Sequence, residues 1–252
     1  MIKVVVPTSG GKDSQATLKL CLTKYPAAEI LGLFTDTQFE HDLTYRHLDK
    51  IEKLYGVEIR RITAGSVEEQ TLKHGLFPWP LGRFCTEELK LWPAKYFYRE
   101  LAKAQGAGFE VWVGVRKQES NDRALRYAGM VGEEVYLPSE YMRKFPKYLD
   151  KAGIRFRLPI VDWTCTDVMD YLAGEENPLY SQGFDRVGCF PCLASGDKNK
   201  EKAFTHDEVG RKNYEIVLRL SKQIGKSVWT SKKGLADHAD DNDGPACSWC
   251  KL

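Results

Sequence analysis

The sequence predicts an α/β fold with a doubly wound, mostly parallel sheet and a C-terminal extension that is helical and contains cysteines. Two observations predict it. Short apolar, β-branched runs alternate along the chain with amphipathic helical stretches, which is the pattern of parallel strands joined by crossover helices. The chain has 252 residues, enough for one large α/β domain or for one domain with an appendage.

The first strand and the first helix enclose a short polar loop. The apolar run Val4–Val6 is followed by Ser9–Gly11, and a helical pattern begins at once. Glycines let the backbone approach a ligand closely, and a helix N-terminus offers unpaired N–H groups and a positive dipole end. Lys12 adds a cation and Ser14 a hydroxyl group. These features predict a phosphate-binding loop.

The loop differs from the two common nucleotide-binding motifs. The pattern G-x-x-x-x-G-K-[ST] requires Gly where Val6 stands and Ser or Thr where Asp13 stands. The glycine pattern G-x-G-x-x-G is also absent here. An ordinary strand–helix turn rich in small residues is the alternative interpretation of this stretch.

The second strand is expected over residues 29–37 and ends in a polar tip that contains Asp36. An amphipathic helix over Leu43–Tyr55 and a strand over Val57–Ile62 follow it. In open α/β sheets, ligands bind at the carboxyl ends of the strands, so Asp36 is a candidate binding residue. A helix cap or a turn residue is the alternative interpretation of Asp36.

A further strand over Phe109–Arg116 contains Gly114 and runs directly into a charged loop. Arg116 and Arg123 then follow the carboxyl end of a strand, on the same side of the predicted sheet as the first loop. A guanidinium group binds phosphate or sulfate oxygens in a bidentate fork. We expect these two arginines to contact an anionic ligand, although a solvated charged loop would explain them as well.

The remaining elements are less regular. A strand is expected over Arg155–Ile160, a helix over Asp167–Leu172, and an amphipathic helix over Glu201–Ile224 that is broken or reshaped around Gly210. Residues 130–150 carry many aromatic side chains without a clean period and receive no assignment.

The composition excludes several classes of protein. Charged residues make up 29% of the chain and the net charge is +2, which argues against a generic polyanion binder but is compatible with local charged patches. No stretch approaches the ~20 apolar residues of a membrane span, and the first residues lack a secretory signal pattern. We therefore expect a cytoplasmic protein that does not act in a membrane. Seven cysteines in such a protein indicate ligands, catalysts or buried thiols rather than disulfides.

The cysteines include two Cys-x-x-Cys pairs, Cys189/Cys192 and Cys247/Cys250. Each pair can place two thiolates on one metal centre. The pairs could form a structural zinc site, although the gap between them exceeds that of a compact zinc ribbon. They could also hold an iron–sulfur cluster completed by Cys85, one pair could be a redox dithiol, and buried thiols without a ligand are a further alternative. A helix is expected to begin at Thr86, which would place Cys85 just before its N-terminus, where a thiolate is favoured. Cys21 and Cys165 are interpreted as core and structural residues.

Several short stretches, taken together in their order and spacing, resemble the phosphoadenosine-phosphosulfate reductase family within the PP-loop, or adenine nucleotide α-hydrolase, superfamily. The matching stretches are Ser9–Ser14, Thr35–Thr37, Arg83-x-Cys85-Thr86 with Leu89, Lys90 and Pro93, Gly114-x-Arg116 with Glu119, Ser120 and Arg123, Pro159-Ile160-x-Asp162-Trp163, Asn177–Tyr180 and Gly188-Cys189-x-x-Cys192. The resemblance covers residues 1–195, so we expect a nucleotide-binding domain there and an extension over residues 196–252.

The resemblance implies a Rossmann-like sheet of about five strands that binds an adenine nucleotide. The residues implied in nucleotide binding are Ser9, Gly10, Gly11, Lys12, Asp13, Ser14, Asp36, Gly114, Arg116 and Arg123. Relatives that carry a [4Fe-4S] cluster hold it with a tandem Cys-Cys pair and a later Cys-x-x-Cys. Phe84 stands where one tandem cysteine would be, so the ligands that carry over are Cys85, Cys189 and Cys192. A fourth ligand would come from Cys247 or Cys250, or from substrate or exogenous sulfide, or there would be none.

The resemblance leaves three functions open. Members with the full Ser-Gly-Gly-Lys-Asp-Ser form mostly use ATP and Mg²⁺ to adenylate an acceptor, so the leading hypothesis is an ATP pyrophosphatase-type enzyme that supports sulfur transfer. Lys12, Asp13 and Arg116 are then the catalytic candidates. The acceptor would be a nucleic acid or a small molecule, with a sulfur-donor protein as a further partner. Because members often dimerise, a homodimer is one expected assembly.

The second hypothesis is a reductase of adenosine phosphosulfate or phosphoadenosine phosphosulfate that releases sulfite, with Cys250 as its nucleophile. The chain lacks the Glu-Cys-Gly-Leu-His-like motif of such reductases, and Cys247–Cys250 matches it poorly. The third hypothesis is a non-catalytic nucleotide-binding module.

Overall fold

The computed structural model describes residues 1–142 and 146–230. Their sheet has six strands in the order β3-β2-β1-β4-β6-β5. The strands are β1 Val4–Pro7, β2 Ile30–Asp36, β3 Ile59–Thr63, β4 Glu110–Trp112, β5 Val135–Tyr136 and β6 Arg155–Arg157. β1 runs parallel to both β2 and β4, and β4 runs parallel to β6. β5 pairs with β6 in the antiparallel direction. The predicted α/β fold with a mostly parallel sheet is confirmed.

Helices connect these strands and continue beyond them. They are α1 Lys12–Cys21, α2 Asp42–Tyr55, α3 Val67–His74, α4 Phe84–Thr86, α5 Trp92–Gln105, α6 Asn121–Arg126, α7 Pro138–Tyr141, α8 Lys147–Lys151, α9 Cys165–Leu172, α10 Asp197–His206 and α11 Glu208–Ile224. A π-helical segment, Glu87–Leu91, lies between α4 and α5. Short 3₁₀ turns occur at Ala27–Glu29 and Lys117–Glu119.

The chain divides into two compact units that interleave along the sequence. The first comprises Met1–Thr35, Leu43–Ile62 and Trp92–Val187. The second comprises Asp36–Asp42, Thr63–Leu91 and the described residues from Gly188 onward. The expected domain boundary after residue 195 falls inside the second unit and stays a prediction.

The core of the first unit lies on both faces of the sheet. Along β1, Val4 and Val6 pack in one apolar cluster with residues of α1 and α2, whereas Val5 packs in another with residues of α5 and α8. This division follows the period of two of a β-strand, whose successive side chains point to opposite faces. Because both faces are covered, β1 is apolar throughout, as expected for a central parallel strand.

The second unit has its own apolar cluster, to which α10 and α11 contribute Phe204, Val217 and Leu220. The helical stretch breaks at Asp207 rather than around Gly210 as expected, because the Asp207 side chain caps α11 by accepting the Gly210 amide at 2.9 Å. A Cβ at Gly210 would lie 2.0 Å from the Ala203 carbonyl oxygen, so this glycine allows the two helices to approach closely.

Two other expectations about elements are wrong or incomplete. The helix expected at Thr86 begins two residues earlier, with Arg83 as N-cap, so Cys85 lies inside the first helical turn rather than before it. The unassigned stretch of residues 130–150 contains the short elements β5, α7 and the first part of α8. Among the described residues, no helix is long and apolar enough to cross a membrane.

Candidate functional site

The Ser9–Ser14 loop joins β1 to α1 through a left-handed glycine. Gly10 has φ +74°, and a Cβ there would lie 2.6 Å from Cγ2 of Thr44 on α2. Both the positive φ and this close approach require glycine. Gly11 is the N-cap of α1 and forms no side-chain cap. The loop therefore lies at the N-terminus of α1, where the helix dipole is positive, as in helix N-termini that bind anions.

The loop is shaped by its own hydroxyl groups. The Ser9 amide donates to Ser14 Oγ at 3.1 Å, Ser14 Oγ donates to the Gly11 carbonyl at 2.9 Å, and the Gly11 amide donates to Ser9 Oγ at 3.3 Å. Ser9 and Ser14 thus hold the loop in this conformation through its own hydrogen bonds. The residues predicted for phosphate binding are also the residues that organise the loop.

Lys12 is held by a segment far away in sequence. Its amide donates to Tyr180 Oη at 2.9 Å, and its Nζ donates to the Asp185 carbonyl at 3.3 Å and lies 4.8 Å from the centre of the Tyr180 ring. Lys12 is only 7% exposed. Asn177 anchors this segment by donating from Nδ2 to the Gly10 carbonyl at 3.2 Å. Sequence reasoning identified Asn177–Tyr180 as a turn and part of a family pattern, but it gave Tyr180 no role.

Arg116 and Asp13 form an ion pair next to the loop. Arg116 Nε lies 2.5 Å from Asp13 Oδ1, and Arg116 is only 4% exposed. Burial of the guanidinium is the largest single influence and opposes its charge, but the hydrogen bond and the negative charge of Asp13, together with the charge of Glu119, outweigh it, and the pKa of Arg116 is raised. A Cβ at Gly114 would lie 2.6 Å from the Asp13 carbonyl oxygen, so Gly114 allows the chain after β4 to pack against the start of α1.

Arg123 and Asp36 have other partners. Arg123 pairs with Glu119 one helical turn earlier, and Glu119 also accepts the Arg116 amide at 3.0 Å. Asp36 ends β2, belongs to the second unit, and accepts the Gln38 amide at 2.8 Å as in a turn. The structure therefore brings together the loop, Gly114 and Arg116, and Arg123 joins them through Glu119.

A buried polar network supports α1. The Gln15 side-chain oxygen and His47 Nε2 share a hydrogen bond at 2.8 Å, and Gln15 Nε2 donates to Tyr55 Oη at 3.1 Å. His47 Nδ1 is buried without a hydrogen-bond partner. Burial, helped by the nearby Lys50, lowers the pKa of His47 from 6.5 to about 4. The ring is therefore neutral in the folded protein at pH 7.

The second unit contains a thiol cluster, which we define as Cys85, Cys189 and Cys192 with Lys90 and Glu40. Cys189 Sγ lies 3.8 Å from Glu40 Oε1. Burial raises the pKa of Cys189 to about 11, with the Lys90 ammonium opposing this shift. The pKa of Lys90 is itself raised by the sulfur of Cys189 against the effect of burial, with contributions from Glu40, Cys192 and Cys85. One ammonium group thus faces three thiols and one carboxyl group.

The backbone around Cys189 is fixed by contacts within the second unit. The Phe190 amide donates to the Phe39 carbonyl at 2.7 Å, and Asn213 Nδ2 donates to the Phe190 carbonyl at 2.6 Å. Thr37 Oγ1 lies 3.2 Å from Cys189 Sγ and donates to Glu40 Oε1 at 2.8 Å. Sequence reasoning gave no role to Asn213, because only the fold brings it to the Cys-x-x-Cys turn.

The chemistry of the thiol cluster distinguishes between kinds of ligand. Across residues 1–142 and 146–230, no group of three or more His, Cys, Asp or Glu side chains converges as it would on a single metal ion. Iron–sulfur clusters are held by cysteine thiolates and carry net negative charge, which Lys90 would offset. Cys85, Cys189 and Cys192 beside Lys90 are donors of the type that such a cluster uses. Cys247 and Cys250, the other predicted ligands, lie outside the described residues.

The remaining two described cysteines differ in exposure. Cys21 is buried in the core, as predicted. Cys165 is exposed at the first residue of α9, so the structure does not support its interpretation as a packed structural residue.

Comparison with known families gives one match that covers most of the chain. Residues 3–195 match the family model described as the phosphoadenosine phosphosulfate reductase domain. A solved phosphoadenylyl-sulfate reductase from Candida auris, in a phosphate complex, superposes with a TM-score of 0.50 at 21% identity. The superposition covers 75% of this chain and 82% of the reductase, and at this identity it shows a shared fold alone.

Two curated relatives are similar to this chain over part of their length. An uncharacterised protein of Methanocaldococcus jannaschii is 34% identical over 204 residues, which is 79% of this chain and 38% of the relative. The adenosine 5'-phosphosulfate reductase of Bacillus pumilus is 28% identical over 167 residues, which is 64% of this chain and 61% of that enzyme. The chain thus spans well under half of the first relative and about three fifths of the second.

Proposed function

Because the chain belongs to the phosphoadenosine phosphosulfate reductase family, we propose that it is an enzyme that binds an adenine nucleotide through its phosphates at the Ser9–Ser14 loop. The observation that carries this proposal is the pair of nearly buried cations, Lys12 and Arg116, at the N-terminus of α1. Arg116 is paired with Asp13, whereas the Lys12 ammonium contacts a neutral carbonyl and a tyrosine ring. A cation held in this way at the positive end of a helix dipole favours a multiply charged anion.

We propose ATP as the nucleotide and adenylation of an acceptor as the reaction. An oxygen or nitrogen of the acceptor attacks the α-phosphorus, the bond from the α-phosphorus to the bridging oxygen breaks, and pyrophosphate leaves with that oxygen. Negative charge grows on the leaving group, and Lys12 is placed to stabilise it. Asp13 acts by holding the Arg116 guanidinium, which neutralises charge on the phosphates. Mg²⁺ would bind through the phosphates and needs few protein ligands of its own.

We propose further that the thiol cluster holds an iron–sulfur cluster that supports sulfur transfer to the activated acceptor. Cys85, Cys189 and Cys192 would supply thiolate ligands, and Lys90 would compensate the negative charge. When bound, the cluster would supply a site for sulfide. The second unit also fixes the Cys189 backbone through Phe39 and Asn213, as a site with a fixed ligand geometry requires.

The nucleotide preference tests this proposal. The protein is purified anaerobically and titrated in parallel with Mg-ATP, adenosine phosphosulfate and phosphoadenosine phosphosulfate by calorimetry. Preference for ATP supports adenylation. Preference for either sulfonucleotide contradicts it, and binding of ATP without pyrophosphate release, with nucleic-acid and small-molecule acceptors supplied, would favour the non-catalytic module.

The second candidate function is a sulfonucleotide reductase that releases sulfite. The similarity to the adenosine 5'-phosphosulfate reductase of Bacillus pumilus over 64% of the chain favours it. In this reaction a cysteine thiolate attacks the sulfur of the sulfonucleotide and displaces the nucleotide, and a second thiol then releases sulfite as a disulfide forms. Cys250 is the candidate nucleophile. Loss of sulfite release in Cys250→Ser, with sulfonucleotide binding intact, is the result that this function predicts.

A further inference from the structure

Helix α5 exposes a face with an unusual composition. Four large side chains of α5 are exposed and follow one another at intervals of about one turn: Trp92, Tyr96, Arg99 and Lys103. This spacing of four, three and four residues places them on one face of a helix. Trp92 is 56% exposed and Tyr96 is 59% exposed, whereas the exposed face of a typical surface helix is charged or polar.

Helix α8 extends this face with a third ring. Tyr148 is 39% exposed, and its ring centre lies 5.6 Å from Cζ of Arg99. The ring centre of Tyr96 lies 4.8 Å from the same carbon. The Arg99 guanidinium is therefore within cation–π distance of two exposed rings. We call the set Trp92, Tyr96, Arg99, Lys103 and Tyr148 the aromatic stripe.

The charge of these two helices differs from that of the whole chain. The chain is nearly balanced, with 37 basic and 35 acidic residues. Helices α5 and α8 together carry five basic and two acidic residues. Lys95 is buried, which leaves four exposed basic residues, Arg99, Lys103, Lys147 and Lys151. Glu100 pairs with Arg99 at 2.8 Å, and Asp150 pairs with Arg155 of β6 at 2.8 Å. The stripe thus lies in a local excess of positive charge and suits an anionic partner.

We propose that the aromatic stripe is a binding surface for a single-stranded nucleic acid. Exposed aromatic rings stack on unpaired bases, and arginine and lysine side chains contact the phosphates between them. A single strand is favoured over a duplex because the faces of bases inside a duplex are already stacked on their neighbours. This inference goes beyond the proposed nucleotide chemistry, since it rests only on α5 and α8.

The test is fluorescence anisotropy of a fluorescein-labelled 15-nucleotide single strand of mixed sequence, as DNA and as RNA. The wild-type protein should bind at low salt, and binding should weaken as salt rises. The double variant W92A/Y96A should bind about tenfold more weakly or worse, since each base stacked on an aromatic ring adds substantially to affinity. The control variant L125A removes an exposed apolar side chain, 79% exposed, on α6 and should bind like the wild type.

A charge variant makes the test independent of the aromatic substitutions. In R99Q/K103Q, affinity should fall, and the slope of log affinity against log salt should become shallower by about 0.7 for each phosphate that the variant no longer neutralises. Thermal unfolding of each variant checks that it is folded.

Binding by W92A/Y96A and R99Q/K103Q equal to that of the wild type would overturn the proposal, as would absence of wild-type binding at low salt. A second copy of this chain is the other candidate occupant. If W92A/Y96A converts a dimer to a monomer in sedimentation and leaves nucleic-acid binding unchanged, the stripe is an interface between copies and the proposal is wrong. Titration of the same variants with Mg-ATP reports separately on the proposed nucleotide site.

Discussion

The Ser9–Ser14 loop and the thiol cluster compensate their charges in different ways. In the loop, Arg116 is paired with Asp13, and Lys12 is held by a carbonyl group and a tyrosine ring. In the thiol cluster, Lys90 faces one carboxyl group and three thiols, and burial favours the protonated form of the Cys189 thiol. The cations of the loop are therefore held by residues of the loop and of its neighbouring segments. Under the proposed function, these thiols would lose their protons on binding the iron–sulfur cluster.

The largest effect that this comparison predicts is on bound iron. After anaerobic reconstitution with iron and sulfide, Cys189→Ser and Cys192→Ser should lose most of the iron that the wild-type protein binds, because each removes a proposed thiolate ligand. Iron content per chain and visible absorbance measure the effect. Cys165→Ser is the matched control, since Cys165 is exposed and outside the thiol cluster. Equal iron content in all three variants would contradict the claim that Cys189 and Cys192 bind iron.

The next effect concerns the ion pair beside the loop. Arg116→Ala leaves the Asp13 carboxylate partly buried without its cation, so the free energy of unfolding should fall by about 2–4 kcal/mol. Denaturant unfolding measures the loss. Arg123→Ala is the control. The Arg123 side chain is 31% exposed and pairs with Glu119, four residues earlier, so the free energy of unfolding should fall by less than about 1 kcal/mol. Similar losses in both variants would show that the Arg116–Asp13 pair is an ordinary surface pair.

A smaller effect is expected where the chain after β4 meets the start of α1. Gly114→Ala would place a Cβ 2.6 Å from the Asp13 carbonyl oxygen, and backbone there cannot move without shifting the loop. The free energy of unfolding should fall by about 1–3 kcal/mol, and affinity for Mg-ATP should fall as well. Gly129→Ala is the control, because a Cβ there meets nothing within 4 Å. Unchanged stability and affinity in Gly114→Ala would show that the loop tolerates displacement.

The pH dependence of stability tests the network behind the loop. The folded pKa of His47 is about 4 and its ordinary value is 6.5, so the unfolded chain binds a proton there first as pH falls. His47 should therefore contribute a loss of about 2 kcal/mol between pH 7 and pH 5. Denaturant unfolding of His47→Gln should show a shallower decline over this range. A parallel decline in both proteins would contradict a neutral, buried His47.

The sequence predicted the strand–loop–helix conformation of Ser9–Ser14 well, because the determinants of that conformation are local. A strand, a glycine with positive φ, two serines and a helix start all lie within about ten residues, and each has a known effect on the backbone. Tyr180 and Asp185 could not be predicted, because they contact Lys12 across separations of 168 and 173 residues. Only the fold brings them together.

The thiol cluster was predicted in part for the same reason. The Cys-x-x-Cys turn and the family pattern identified the three cysteines, but the roles of Thr37, Glu40 and Asn213 depend on contacts across long separations. The local signal also failed near Cys85, since the capping signal at Thr86 does not mark the helix start.

The sheet was predicted in its parallel part and missed at one edge. Strands β1 and β2 are long apolar runs, which periodicity detects, whereas β5 comprises two residues, Val135 and Tyr136. A strand of that length has no measurable period. It exists because it pairs with β6, so its formation depends on tertiary structure.

The central claim is that the Ser9–Ser14 loop binds the phosphates of an adenine nucleotide through Lys12. Calorimetric titration of Mg-ATP into the wild-type protein, Lys12→Ala and the control Lys3→Ala, whose side chain is exposed, tests it most directly. Removal of a charged hydrogen bond to phosphate should weaken binding by about 10- to 100-fold in Lys12→Ala and leave Lys3→Ala unchanged. Equal affinity for Mg-ATP in all three proteins would contradict the claim.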